Sequence, residues 1–287
     1  MKERAIGTLL LVAALGALLA LALITYFVFQ AGVPLIAEVG LWTFLTGTTW
    51  SPTAKPPQFG LLPMIIGSLW LTFGSLVIGV PLGLAVAIFM VELAPPSMAA
   101  VMRPAIQLLA GIPSVIYGFI GLTILAPLVR STLGGPGLSV LTGAIILGIM
   151  ILPSVIAISE DAMRAVPRAL RDGALALGET HWQVISGIIL PTARSGIVAG
   201  VILGMGRALG ETMAVIMMIG NSLDIPFSPL QPATTLTSNI GLELAYASGA
   251  HRDALFATGV VLFVLIMLLN GIATAVVRRP AFSRRTS

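Results

Sequence analysis

The chain has 287 residues, of which 57% are hydrophobic and 9% are charged, and its formal net charge is +4 at pH 7. Soluble domains contain about 25% charged residues, so this composition excludes an ordinary soluble protein. The absence of cysteine excludes disulfides, thiolate catalysis and cysteine-based metal sites. The basic residues lie at the ends of apolar segments rather than on one exposed face, and we therefore expect no nucleic-acid partner.

Six apolar segments are long enough to cross a lipid bilayer, which takes about 20 helical residues. The first segment is too long for a secretory signal and lacks a small-residue cleavage site, so we expect it to be retained as a span. This pattern predicts an all-α, polytopic membrane protein. The predicted spans are roughly Ala5–Phe29, Leu61–Val91, Ala105–Val129, Leu138–Ile158, Gly196–Gly220 and Ala254–Val277.

The distribution of lysine and arginine predicts the orientation, because cytoplasmic segments carry an excess of both residues. With the N-terminus inside, eleven of these residues fall in cytoplasmic segments and three in outer loops, while Arg207 stays within a span. We therefore expect both termini, and the long polar segment at 159–195, to face the cytoplasm. The outer loops, residues 30–60 and 221–253, would be either plain connectors or contacts for an external partner.

The third predicted span contains Gly111-Ile-Pro-Ser114, a sequence that can interrupt a helix. Such an interruption frees backbone groups, which are tolerated at membrane depth only where they are buried in protein or line a cavity. We predict that Ser114 and Tyr117 line a substrate path at this point. Ordinary helix packing would also account for both residues.

Residues 159–195 form a polar segment between the fourth and fifth spans, and such a segment must leave the bilayer. Pro167 suits the first turn of a helix, and Gly178 suits a helix C-terminus. Thr180 can cap a second helix, which Leu190-Pro191 would end. We predict a compact unit of two short helices, although an amphipathic surface connector would show the same pattern.

The fifth predicted span carries Arg207, and an arginine at the centre of a span costs about 2.5–3.5 kcal/mol on insertion scales. Glu211 follows four residues later, close enough on a helix to form an ion pair. The pair would share one face with a glycine ridge, where another helix can approach closely. Two interpretations follow: a structural ion pair, or a substrate path in which Glu211 holds Arg207 until an oxyanion arrives. The ridge consists of Gly196, Gly200 and Gly204.

The polar segment resembles the cytoplasmic EAA loop of ABC importer permeases, which reads E-A-A-x-x-x-G-x9-I-x-L-P. Asp172 stands in place of the usual glutamate and Gly173 in place of the usual alanine. In that family the loop forms coupling helices that sit in a groove of an ATPase subunit. The resemblance assigns ATPase coupling to Asp172, Gly173, Ala174, Gly178, Leu190 and Pro191.

Two further stretches resemble the phosphate-specific (Pst-type) permeases: LAGIPSVIYG at residues 109–118 and GRALGETMAV at residues 206–215. Within the second stretch, Gly210-Glu-Thr212 is followed by Met213-Ala-Val215. This continuation is more similar to the PstC-type subunit than to its PstA-type partner. The resemblance implies a type I ABC importer permease (MetI-like) core over residues 61–287, with the coupling loop at 159–195. Residues 1–60 would then form an N-terminal transmembrane helix and an outer loop.

The resemblance also implies a location in the prokaryotic inner membrane, a function and a set of partners. The chain would form half of the translocation pathway of an ATP-driven phosphate importer. It would assemble with a PstA-like permease, two ATPase subunits and an external phosphate-binding protein. The sequence has no G-x-x-x-x-G-K-[ST] phosphate-binding loop, so we expect the partner to bind ATP and this chain to need no cofactor.

The sequence leaves three rival functions to consider for the chain. The first is a permease for a related oxyanion, sulfate or molybdate, which the stretch at 206–215 disfavours. The second is an ion-gradient secondary transporter. Such folds often contain inverted repeats and paired broken helices, and neither is evident in the sequence. The third is a membrane enzyme, for which the sequence shows no clustered histidines or paired carboxylates.

Overall fold

The computed structural model describes residues 2–278, and within them the chain is almost entirely helical. Residues 279–287 lie outside the described residues. The helices are α1 (Lys2–Val39), α2 (Leu41–Thr46), α3 (Leu62–Ile88), α4 (Pro96–Gly111), α5 (Ser114–Ile120), α6 (Ala126–Leu133), α7 (Val140–Arg164), α8 (Arg168–Ala176), α9 (His181–Val184), α10 (Leu190–Gly210), α11 (Met213–Met218), α12 (Leu236–Glu243) and α13 (Ala250–Arg278).

Three π-helical turns, Phe89–Leu93, Gly121–Leu125 and Ile185–Ile189, extend or join these helices. The strands β1 (Trp50–Ser51) and β2 (Gln58–Phe59) form a short antiparallel hairpin, with Trp50 opposite Phe59. We call the end of the bundle that carries α8 and α9 the coupling end, and the end that carries the hairpin the hairpin end.

Six helical segments among the described residues are long and apolar enough to cross a membrane, which confirms the predicted fold class and number of spans. Their bounds differ from the prediction. The first span runs on to Val39, so that most of the predicted outer loop before residue 40 is helical. The six segments are Ile6–Val39, Leu62–Leu93, Ser114–Leu133, Val140–Arg164, His181–Gly210 and Ala250–Ala275.

The third and fifth spans were predicted incorrectly. Residues 96–111 form a separate helix, α4, and the third span begins only at Ser114. The fifth span begins at His181 and ends at Gly210 rather than at Gly220. Both errors lie where a short segment that contains proline or polar residues divides an apolar run into two helices.

The core of the bundle is the contact between α3 and α7. A Cβ atom added to Gly79 would lie 2.6 Å from the Gly148 carbonyl oxygen, so the two backbones touch. Leu71, Ile151 and Val155 are almost completely buried around this contact. Small residues allow helices in a bilayer to approach this closely and to gain van der Waals contact.

The glycine ridge of α10 also packs against α7, which confirms that another helix approaches the ridge closely. An added Cβ atom on Gly196 would collide with Ala162, and one on Gly204 would lie 3.2 Å from the Val155 side chain. Ile151 and Val155 of α7 therefore lie against both α3 and α10. The helix α7 holds α10, and the functional residues on it, in a fixed position.

A polar cluster at the hairpin end connects segments that are distant in sequence. Glu243 accepts a hydrogen bond from Trp50 Nε1 at 3.0 Å, and His251 Nε2 lies 2.7 Å from the same carboxylate oxygen. His251 and the carboxylate are largely buried. The cluster ties the hairpin to α12 and α13, so the two segments predicted as outer loops are folded against each other here.

Candidate functional site

The helices α8 and α9 form within the polar segment, as its sequence predicted. Gly178 adopts φ +89°, a left-handed conformation that suits glycine at a helix end. The Thr180 side chain accepts a hydrogen bond from the Gln183 backbone N–H, and the Gln183 side chain accepts one from Thr180 N–H. This reciprocal capping box fixes the start of α9.

The predicted end of the second helix at Leu190-Pro191 is wrong. The π-helical turn Ile185–Ile189 leads directly into α10, with Pro191 in its first turn. Local π-helical adjustment allows a proline inside a continuous helix, and the π-helical turn lies immediately before Pro191. The helix α9 is therefore continuous with the fifth span. A displacement of α9 passes directly to α10.

The helices α8 and α9, which we call the coupling helices, pack against the ends of the spans. Ala174, Val184 and Ile189 are buried in a cluster with Met163 of α7 and Met90, which lies just after α3. The first coupling helix thus rests on α7 and α3, whereas the second runs on into α10. Together they form one rigid unit with the ends of three helices.

Arg171 reinforces this packing with charge. Its Nη1 donates to Glu92 Oε1 at 2.6 Å, and its Nη2 donates to the Met163 carbonyl oxygen at 2.7 Å. Both side chains are mostly buried, at 20% and 13% exposure. Charge-assisted hydrogen bonds are about twice as strong as neutral ones, so Arg171 clamps α8 to the ends of α3 and α7. Neither member of this pair was predicted from the sequence.

The outward face of the coupling helices is apolar and exposed. Leu177 is 87% exposed and Trp182 is 65% exposed. Among the predicted coupling residues, Asp172, Gly173 and Gly178 are also exposed, whereas Ala174 is buried. An exposed apolar patch rimmed by polar residues is typical of a protein interface. We call this surface the coupling face.

A first helix break separates α4 from α5. Ile112 and Pro113 have extended backbones between the two helices. Tyr117 Oη donates a hydrogen bond to the Leu109 carbonyl oxygen at 2.9 Å and so spans the break. Ser114, at the start of α5, is partly exposed, whereas Tyr117 is only 5% exposed. The predicted interruption is therefore present, and Tyr117 holds its two sides together.

A second helix break separates α10 from α11, and it contradicts the predicted i,i+4 ion pair. The helix ends at Gly210, and Glu211 is extended with φ −70° and ψ 129°. Glu211 Oε1 accepts a hydrogen bond from the Ala214 N–H at 3.2 Å, and Thr237 Oγ1 donates to the Glu211 carbonyl oxygen at 2.9 Å. Among residues 6–275, Arg207 forms no ion pair with Glu211.

The two breaks lie beside each other. The short helices that follow them, α5 and α11, are in direct contact, and a Cβ atom added to Gly118 would lie 2.9 Å from Ala214 Cα. Tyr117 also packs in the same buried cluster as Ala208, the residue after Arg207. The structure therefore brings Tyr117, Arg207 and Glu211 to one region of the bundle, where the third span begins and the fifth span ends.

Arg207 also lines an open groove of about 680 Å³ between α7, α10 and α13. Apart from Arg207, the polar side chains along the groove are Ser154, Asn270 and Thr274, and no carboxylate lines it. Hydrocarbon would solvate neither the guanidinium nor the amide. In the membrane this groove must therefore be covered by protein or filled with water.

Comparison with known proteins assigns the chain to a family. Residues 79–281 match the family described as the inner membrane component of binding-protein-dependent transport systems. The chain belongs to this family. The permease has curated relatives over most of its length, and their names describe transport permease proteins rather than enzymes.

Several relatives are named as phosphate permeases. The chain is 38% identical to a phosphate transport system permease protein PstC of Mesorhizobium japonicum, over 90% of this chain and 87% of that protein. It is 46% identical to a probable ABC transporter permease protein YqgH of Bacillus subtilis, over 78% of this chain and 74% of that protein. These relatives confirm the resemblance to PstC-type permeases.

Solved structures confirm the fold at lower identity. The permease matches a chain of a bacterial alginate ABC transporter, in complex with an alginate pentasaccharide-bound periplasmic protein, with TM-score 0.64 and 18% identity, over 93% of this chain and 94% of that one. It matches a chain of the MetNI methionine ABC transporter in an inward-facing conformation with TM-score 0.60 and 21% identity, over 76% of this chain and 94% of that one. The MetI-like core is thus the fold of this permease.

Proposed function

We propose that this permease forms half of the translocation pathway of an ATP-driven importer of inorganic phosphate. The observation that carries the proposal is its similarity, over nearly the whole chain, to relatives named as phosphate transport permeases. The geometry supports it, because Arg207 lacks a carboxylate partner among residues 6–275 and faces a groove. A cation in that position needs an anion, and the transported phosphate supplies one.

Arginine suits this role because its planar fork donates two parallel hydrogen bonds to a tetrahedral oxyanion. Glu211, fixed on the Ala214 N–H, keeps the region close to neutral so that the anion is not trapped. Ser114 and Tyr117 line the path at the first helix break, where Tyr117 also keeps α4 and α5 together. In this proposal Glu211 organises the second break and does not hold Arg207 in the empty state.

The coupling face binds an ATPase subunit, which hydrolyses ATP on behalf of the permease. A second ATPase subunit serves a homologous, PstA-like permease that completes the pathway. The coupling end and both termini lie in the cytoplasm, and the hairpin end meets an external phosphate-binding protein. The continuity of α9 with α10 supports this assignment, because movement of the coupling face shifts the helix that carries Arg207.

Uptake of labelled phosphate by the complete transporter in ATP-loaded proteoliposomes tests the substrate. We expect uptake only when the external phosphate-binding protein is present, and we expect an excess of sulfate to leave it unchanged. Sulfate carries no proton at neutral pH and cannot donate a hydrogen bond to an acceptor that recognises phosphate. Equal competition by sulfate, or faster uptake of labelled sulfate, would mean that the substrate is a related oxyanion and not phosphate.

A further inference from the structure

Asn270 lies on α13 and lines the same groove as Arg207. Its side-chain oxygen Oδ1 is buried and has no hydrogen-bond partner within the described residues. Its backbone carbonyl is already used, because Thr274 Oγ1 donates to it at 2.7 Å. The amide of Asn270 is therefore a polar group that the fold places in an apolar span without giving it a complete set of partners.

An unsatisfied polar atom inside a membrane span costs free energy, and lipid chains offer it nothing in return. Such a group is retained where a partner arrives during function. The polar lining of the groove suits an anion: it contains a guanidinium, an amide and the Ser154 hydroxyl, with no carboxylate among the lining residues, while the Thr274 hydroxyl already donates to the Asn270 carbonyl oxygen. A hydrophobic helix from a partner subunit would leave both Arg207 and Asn270 unsatisfied.

We infer that Asn270 and Arg207 together form an oxyanion-binding subsite in the groove between α7, α10 and α13. Arg207 donates to the oxygens of the anion, while the Asn270 oxygen accepts the hydrogen bond of a protonated phosphate oxygen. Ser154 of α7 and Thr274 of α13 complete the polar lining. This inference rests on the proposed function and adds a second substrate-contacting residue, on a helix that the sequence motifs do not include.

Asn270→Leu tests the inference in the complete transporter, reconstituted in proteoliposomes with the phosphate-loaded binding protein. The change removes both the acceptor and the donor while keeping a similar shape. We expect the maximal rate of labelled phosphate uptake to fall by about tenfold, as for the loss of a hydrogen bond to a charged group. The half-saturating concentration of the binding protein stays unchanged, because that protein docks at the hairpin end.

The ratio of phosphate imported to ATP hydrolysed separates a substrate contact from a structural role. A damaged fold lowers uptake and ATP hydrolysis together, whereas a lost substrate contact lowers the ratio. We expect Asn270→Gln to recover part of the uptake, because the groove has room for one more methylene group. Leu268→Ala serves as the matched control, since it changes an exposed residue on the same helix.

Each outcome bears on one of the two proposals. Loss of uptake in Arg207→Ala but not in Asn270→Leu would overturn the subsite and leave the proposed function intact. Unchanged uptake in both variants would overturn both the subsite and the role of Arg207. Loss of the partner permease from the purified Asn270→Leu complex would show that Asn270 binds a protein helix instead, and would also overturn the subsite.

Discussion

Replacement of Arg207 by alanine is expected to lower ATP-dependent phosphate uptake by about 100-fold or more, because two charge-assisted hydrogen bonds to the anion are lost together. Assembly should survive, since the guanidinium forms no ion pair within residues 6–275 that its removal would break. The measurement is the initial rate of labelled phosphate uptake in proteoliposomes, beside the amount of ATPase that co-purifies with the permease.

Arg207→Lys refines this result. Lysine keeps the positive charge but presents a compact ammonium instead of a planar fork. We expect uptake to fall by about tenfold, with the defect less severe than in the alanine variant. Leu268→Ala is the control, because Leu268 is an exposed residue of α13 that does not line the groove. Normal uptake in Arg207→Ala at normal expression would remove Arg207 from the pathway.

The coupling face gives the second large expected effect. Leu177→Asp combined with Trp182→Asp should separate the ATPase from the permease, because an aspartate in an apolar interface is buried without a partner. Residues of this kind at an interface centre contribute about 2 kcal/mol or more each, so we expect little ATPase to remain bound during affinity purification of the permease. ATP-driven uptake should be lost with it.

A matched control distinguishes the coupling face from general damage. Phe227 is 83% exposed in the loop at the hairpin end, so Phe227→Asp makes the same chemical change far from the coupling helices. We expect this variant to retain the ATPase. Full retention of ATPase by the Leu177 and Trp182 double variant would mean that the ATPase docks elsewhere on the permease.

The sequence predicted the elements whose structure is set locally. Gly178 ends α8 because few other residues adopt its positive φ, and Thr180 starts α9 because its side chain can cap the next turn. The number of spans was also correct, since apolar length alone determines it. These features depend on neighbours within a few residues, which the sequence displays directly.

The second helix break was missed because distant residues hold it in place. From Gly196 to Gly220 the sequence reads as one apolar span, and nothing local ends a helix at Gly210. Thr237, 26 residues beyond Glu211 in the chain, donates to the Glu211 carbonyl oxygen and satisfies the interrupted backbone. The same tertiary contact separates Glu211 from the helical register that the predicted ion pair required.

Paired broken helices were not evident in the sequence, although the structure contains two of them side by side. Such pairs also occur in secondary transporters, so the breaks alone do not distinguish the two classes of transporter. Family membership and the coupling face distinguish them here. The Arg171–Glu92 ion pair and the Asn270 amide were missed for a related reason, because each depends on helices that meet only in the folded bundle.

The nucleotide requirement of the purified assembly tests the central claim, that a separate ATPase drives this permease through α8 and α9. Phosphate uptake into proteoliposomes would be measured with ATP, with ATP and vanadate, and with a proton or sodium gradient but no nucleotide. We expect uptake with ATP alone and none in the other two conditions. Sustained uptake on the ion gradient without nucleotide, or without any ATPase bound, would contradict the account.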